Sequence, residues 1–132
     1  MSFNRAENAI QCPGAPKSNG KYALVIKHGN VLHLSGWMGQ DPETGKVVEG
    51  GAVAQMEQAT RNIETCLLAA GSSLDKIISR RLFITDMSKV FEVDDAWGRL
   101  LKPPYPVSTA IGISSLTQKG AIIELEVTAA SD

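Results

Sequence analysis

"YALVIKHGNVLHLSG", residues 22–36, reads as two strands joined by a turn around Gly29–Asn30. In the second arm Leu32 and Leu34 share one face, while Val31, His33 and Ser35 share the other. An antiparallel hairpin this early argues against a doubly wound parallel sheet. It also sets the question for the rest of the chain, which must supply something to cover the leucine face.

Beyond the hairpin, "QDPETGKVVEGG" (40–51) carries turn signals at Asp41–Pro42 and Thr44–Gly45 and reads as a surface connection with a short strand at Val47–Val48. From Ala52 the period changes. Val53, Met56, Thr60, Ile63, Leu67 and Ala70 line one helical stripe, Glu57 and Arg61 form an i,i+4 pair on the polar side, and Gly71 supplies the stop. "KIISRRLFIT" (76–85) is strand-like, and its Arg80 and Arg81 point to opposite faces. Ser88 is the predicted cap of a second helix buried through Val90, Val93, Trp97 and Leu100. "PPYPVSTAI" (103–111) pins the backbone at the mouth of the strand "STAIGI", and "AIIELEVTAA" (121–130) is the last strand. There Ile123, Leu125 and Val127 share one face, and Glu124 and Glu126 share the other with Ile122 and Thr128.

The order ββ, helix, β, helix, ββ predicts an α+β fold, a mixed β-sheet with two helices packed on one face, in a single domain spanning 1–132. The other sheet face would carry Val31, Ile111 and Ile122. A domain this small buries such a face most simply against another copy of itself, so a homo-oligomer is expected.

Thirteen Lys and Arg balance 14 Asp and Glu, and no basic block occurs, so nucleic acid is not an expected partner. No apolar run is long enough to span a bilayer, and "MSFNRAENAI" has no apolar signal core. A cytoplasmic location is expected, with organellar import after loss of a presequence left open. Cys12 and Cys66 make no disulfide framework, and Cys66 reads as a small hydrophobe near the helix–sheet interface. His28 and His33 lack ligand spacing with any carboxylate, so no metal is expected. Neither a phosphate-binding loop nor a nucleophile elbow is present. The Glu124–Glu126 pair stands out: covered by another subunit, one carboxylate is desolvated and becomes a usable acid/base, whereas left at a sheet edge the pair is merely solvated.

Taken in order, "LSGWMGQDPETGKVV" (34–48), "QMEQATRNI" (55–63), "AAGSSLDKI" (69–77), "LFITDM" (82–87), "VDDAW" (93–97), the proline-then-"ST" element (106–109) and "IELE" (123–126) resemble the Rid family, the reactive-intermediate deaminases, also called the YjgF/YER057c/UK114 family. The resemblance implies a chorismate-mutase-like homotrimer whose sheets pack inward into a barrel-like core, with small-molecule clefts between subunits. It implies cofactor-free hydrolysis of imines and enamines such as 2-iminobutanoate or 2-iminopropanoate. An arginine after the proline element grips the substrate carboxylate, and a glutamate of the last strand places or activates water.

Against that pattern the chain has drifted. The family reads roughly Pro-Ala-Arg-Ser where this chain reads "YPVST", with Val107 taken to stand in the arginine's place. Ala23 and Leu24 replace polar residues, Trp37 replaces a glutamine, Asp94 replaces an asparagine, and Thr109 follows Ser108 where active members often carry cysteine. The retained machinery is Tyr22, the Ser35–Gly36 turn and Glu124, with Glu126 a structural understudy. Glu124 and Tyr22 are therefore the expected catalytic groups. Ser35, Gly36, Trp37, Asp94, Tyr105, Val107 and Thr109 are the expected substrate contacts. Trp37, Tyr105 and Val107 suggest a cleft for a larger, less anionic ligand, an intermediate of a specialised pathway. The expectation is a divergent Rid-like enzyme acting by hydrolysis or general acid/base chemistry in inter-subunit clefts. The alternatives are a catalytically silent ligand-binding or chaperone-like homologue and an ordinary 2-iminobutanoate/2-iminopropanoate deaminase.

Overall fold

The structure, a computed structural model, describes residues 2–131. A four-residue helical turn, α1 (Arg5–Asn8), leads into a two-residue strand β1 (Ala9–Ile10). Neither is long enough to leave a periodic signature in sequence. The hairpin follows as β2 (Val25–His28) and β3 (Val31–Leu34), turning at Gly29 with φ +60°. Then come α2 (Gly51–Ala69), β4 (Ile77–Ile84), α3 (Val90–Gly98), β5 (Val107–Gly112) and β6 (Ile123–Ala130). One six-stranded sheet results, in the order β1-β2-β3-β6-β4-β5, with β4 and β5 parallel and every other pair antiparallel.

Both helices bury their stripes against the same sheet face. Met56, Ile63 and Leu67 of α2 and Val93 and Trp97 of α3 join Leu32, Leu82, Ile84, Ile123 and Leu125 in one buried cluster. Thr60, buried within the α2 stripe, satisfies its hydroxyl by donating 2.8 Å back to the Met56 carbonyl. Gly71 ends the helix as expected, at φ +76°, and the Ser72 N–H closes the turn onto the Leu67 carbonyl at 2.8 Å. Gln55 ties α2 to the entry of β6: its Nε2 donates to the Gly120 carbonyl (2.9 Å) and its Oε1 accepts from the Ile122 N–H (2.7 Å).

Details differ from the sequence reading. A 3-10 turn, Met87–Lys89, precedes α3, so the capping side chain is Asp86, which accepts from both the N–H and the hydroxyl of Ser88. Those hydrogen bonds hold the Asp86 carboxyl below its ordinary value. The helix stops at Gly98, which leaves Leu100 outside its stripe and exposed. Ile122 precedes the regular strand and packs against the core rather than the open face.

The expected barrel-like, chorismate-mutase-like trimeric core is corrected by the topology. The sheet is open: β1 and β5 are edges with one neighbour each, separated by four intervening strands. Closure would need pairing between them, and β1 offers only two residues. The face away from the helices is uncovered in the chain, with Val107 70% exposed, and no trimer is displayed. No helix among the described residues is long and apolar enough to cross a membrane.

Candidate active site

Two register rows build the first part of the site. His33 lies opposite Thr128, and Trp37 pairs with Leu125 through reciprocal backbone hydrogen bonds of 2.7 and 2.8 Å. Between those rows the first segment carries Leu34, Ser35 and Gly36 against only Glu126 and Val127. This extra residue is a β-bulge, and it bends the Ser35–Gly36 backbone over β6. Ser35 anchors the bend, donating its N–H to the Leu24 carbonyl (3.0 Å) and its hydroxyl to the Ala23 carbonyl (2.6 Å).

Glu124 lies beneath this bend, on the opposite face from the buried Ile123 and Leu125. Its carboxyl is pushed above the ordinary glutamate value, first by burial and then by the negative charge of Glu126. Glu126 itself is exposed enough to pair with Arg81 at 3.2 Å. Glu124, Gly36, Ser35, Tyr22 and Gln40 line a cleft of about 520 Å³. The Tyr22 hydroxyl donates to Asn19 Oδ1 at 2.9 Å. A carboxylate poised to accept a proton, beside exposed backbone and a phenol, can hold and activate water.

A second cleft of about 550 Å³ lies where the end of α3 meets the start of β5, lined by Arg80, Asp94, Trp97, Arg99, Tyr105 and Ser108. Arg80 and Ser108 are register partners across β4 and β5, and Arg80 Nε donates to Ser108 Oγ at 2.9 Å. Arg80 Nη1 lies 2.8 Å from Asp94 Oδ1, and the guanidinium stands over the Trp97 ring, 5.2 Å from its centroid.

The expected site residues thus fall into separate groups. Tyr22, Ser35, Gly36 and Glu124 share the first cleft, whereas Asp94 and Tyr105 line the second. Trp37 contributes backbone only, its indole being 3% exposed within the core. Val107 and Thr109 lie on the open sheet face, opposite Ser79 and Arg81, and line neither cleft. The arginine's position is therefore Ser108 and not Val107: Pro-Ala-Arg-Ser laid over Pro106-Val107-Ser108-Thr109 puts Ser108 third, and Ser108 is the residue that lines the cleft. Arg80 is not among the expected site residues. Its two-residue spacing from Leu82 and Ile84 put it on the buried face, and a cation there needs partners. Cys66 is fully buried, and its hydrogen bond with Cys12 together with burial pushes the thiol well up, keeping it neutral.

A family model described as Endoribonuclease L-PSP matches residues 12–131. A RutC family protein of Pyrococcus horikoshii is 34% identical over 123 residues, covering 93% of this chain and 97% of its own. The human 2-iminobutanoate/2-iminopropanoate deaminase is 28% identical, over 91% of this chain and 87% of its own. The crystal structure of RidA from the Antarctic bacterium Psychrobacter sp. PAMC 21119 superposes with a TM-score of 0.88 at 34% identity, covering 92% of this chain and 98% of that one.

Proposed function

The chain belongs to the RidA/YjgF/YER057c/UK114 family, and from that premise we propose that it hydrolyses small reactive imines and their enamine tautomers. Glu124 is the observation that carries the reading: a half-buried carboxylate, raised in pKa and held beside the Gly36 backbone in an open cleft. Water held by Glu124 adds to the imine carbon and gives up a proton to the carboxylate. The carboxylate delivers that proton to the nitrogen to give a carbinolamine, then takes the remaining hydroxyl proton and relays it to the amino group as the C–N bond breaks, so that a carbonyl compound and ammonia leave. Tyr22, at the rim, orients the substrate.

Among possible substrates, a 2-imino acid now fits better than a larger, less anionic compound. Two of the three residues that suggested an apolar cleft, Trp37 and Val107, line neither cleft, and the third, Tyr105, sits beside Arg80 and Arg99. Relatives named 2-iminobutanoate/2-iminopropanoate deaminase support the same choice. The Glu124 face is open in one chain, so the reading includes a homo-oligomer whose copies complete the site.

The test is disappearance of 2-iminobutanoate generated in situ, followed against its spontaneous hydrolysis. Acceleration that is lost in E124Q supports the reading. No acceleration of this imine or of an uncharged one overturns it in favour of a silent ligand binder.

A further inference from the structure

We propose that the cleft at Arg80 is a carboxylate subsite, with Arg80 as the gripping residue and Asp94 as a displaceable stand-in that occupies the guanidinium when no ligand is bound. Arg80 is 8% exposed on a strand face otherwise given to Leu82 and Ile84. Burying a guanidinium there is costly unless its donors are used. Only part of that requirement is met within the chain. Nε is engaged by Ser108. Nη1, wholly buried, lies at ion-pair distance from Asp94, yet none of its N–H bonds is directed at an acceptor. Trp97 supports the plane of the group from one side without accepting those protons. The result is a rigidly held arginine with donor capacity left over, facing a cleft.

Its anionic partner among the described residues is loosely kept. Asp94 is 50% exposed on α3 and makes no other ion pair or side-chain hydrogen bond among the described residues. A small carboxylate entering the cleft can take the Nη1–Nη2 edge of the guanidinium in the two-pronged manner that Asp94 does not achieve, while Asp94 turns out to water. Arg99, on the same rim, adds a second positive charge. A cation is disfavoured by both arginines, and an uncharged ligand leaves Nη1 as it is. This arrangement makes Asp94 an internal competitor: it keeps the buried guanidinium neutralised in the empty protein and weakens every anion that binds. Arg80 and Glu124 lie on opposite faces of the sheet, so the assignment names the charged end of the substrate proposed above with the carboxylate held by one copy and Glu124 supplied by another, and it depends on that reading only for the reaction.

The experiment is isothermal titration of the full chain with 2-oxobutanoate and with 2-butanone, its uncharged counterpart. The expected result is binding of the acid and none of the ketone. D94N should tighten the acid about 3- to 10-fold by removing the competitor. R80K, which keeps a buried cation but loses the fork, should weaken it about 10- to 100-fold. D94N changes an exposed side chain, so it reports even if the Arg80 variants fold poorly. Equal binding of acid and ketone, or D94N binding no tighter than wild type, overturns the subsite. Imine hydrolysis indifferent to D94N and R80K would refute the subsite and leave the hydrolase reading standing. Acid binding that follows Arg80 and Asp94 without any turnover would do the reverse.

Discussion

Gly36 and Glu124 share one space: a Cβ built on Gly36 would stand 2.8 Å from both Cδ and Oε2 of Glu124. The glycine is not there for a left-handed backbone, since its φ is not among the positive ones. It is there because the carboxylate fills the volume a side chain would take. G36A should therefore fold but push the carboxylate aside. Displacing a catalytic group by about 1 Å costs on the order of 10²-fold. The expected outcome is a kcat lowered by about that factor with a melting temperature close to wild type. Full activity in a folded G36A would separate Glu124 from the chemistry.

Replacing Glu124 by glutamine keeps the shape and removes the proton acceptor. Loss of about 10²–10⁴ in kcat is expected. Stability should move the other way. A carboxyl raised above its unfolded value favours the folded state most when protonated, and that contribution fades as pH rises through the folded value. At neutral pH, E124Q should thus melt no lower than wild type, which thermal unfolding across pH will show.

E126Q tests the electrostatics around Glu124 without touching it. Removing the neighbouring negative charge, and freeing Arg81 from its partner, both favour ionised Glu124. The Glu124 value should fall, so the acid limb of the pH–kcat profile should move to lower pH. A limb that stays in place assigns the titration to another group.

Periodicity made much of this fold legible. Leu32 and Leu34, the α2 stripe, and the alternation of Ile123, Leu125 and Val127 each declare a face, because burial selects side chains at fixed spacing. What escaped depends on contacts across the chain. The bulge at Leu34–Gly36 is visible only once Trp37 is paired with Leu125. Asp86 outcompetes Ser88 as a cap because an intervening 3-10 turn shifts the helix start. Alternation puts Arg80 and Arg81 on opposite faces but does not say what meets each: one is buried against Trp97, the other is exposed against Glu126. The cleft at Glu124 and Ser35–Gly36 is legible in local strand alternation, whereas the cleft around Arg80 needs the β4–β5 register.

Gln55 is the buried link between α2 and the strand that carries Glu124. Q55A would leave the Ile122 N–H and the Gly120 carbonyl without their partner. A buried polar group left unsatisfied costs about 1–3 kcal/mol, and with Gly120 exposed and Ile122 half-buried the two together are expected to cost no more than one such group, about 1–3 kcal/mol. Chemical denaturation measures it, and a change below about 0.5 kcal/mol would show that water replaces the amide freely.

The open sheet face makes the last prediction. Rows run across it from β6 through β4 to β5: Thr128, Ser79 and Val107; Glu126, Arg81 and Thr109; Glu124, Phe83 and Ile111. Val107 is 70% exposed there, Val31 and Ile111 are only partly covered, and β5 ends the sheet with an unpaired edge. Apolar side chains along an uncovered sheet face and edge favour association, and a second copy of the chain is the occupant always at hand. Sedimentation should therefore give a mass above the 14.1 kDa of one chain. V107E places a charge where the neighbouring copy would bury it, without entering either cleft, so it should shift the mass toward one chain. If the site is completed between copies, imine turnover should fall with the oligomer as V107E is diluted. A wild-type protein that sediments as one chain at working concentration would show that the face is solvated and would overturn a site shared between copies.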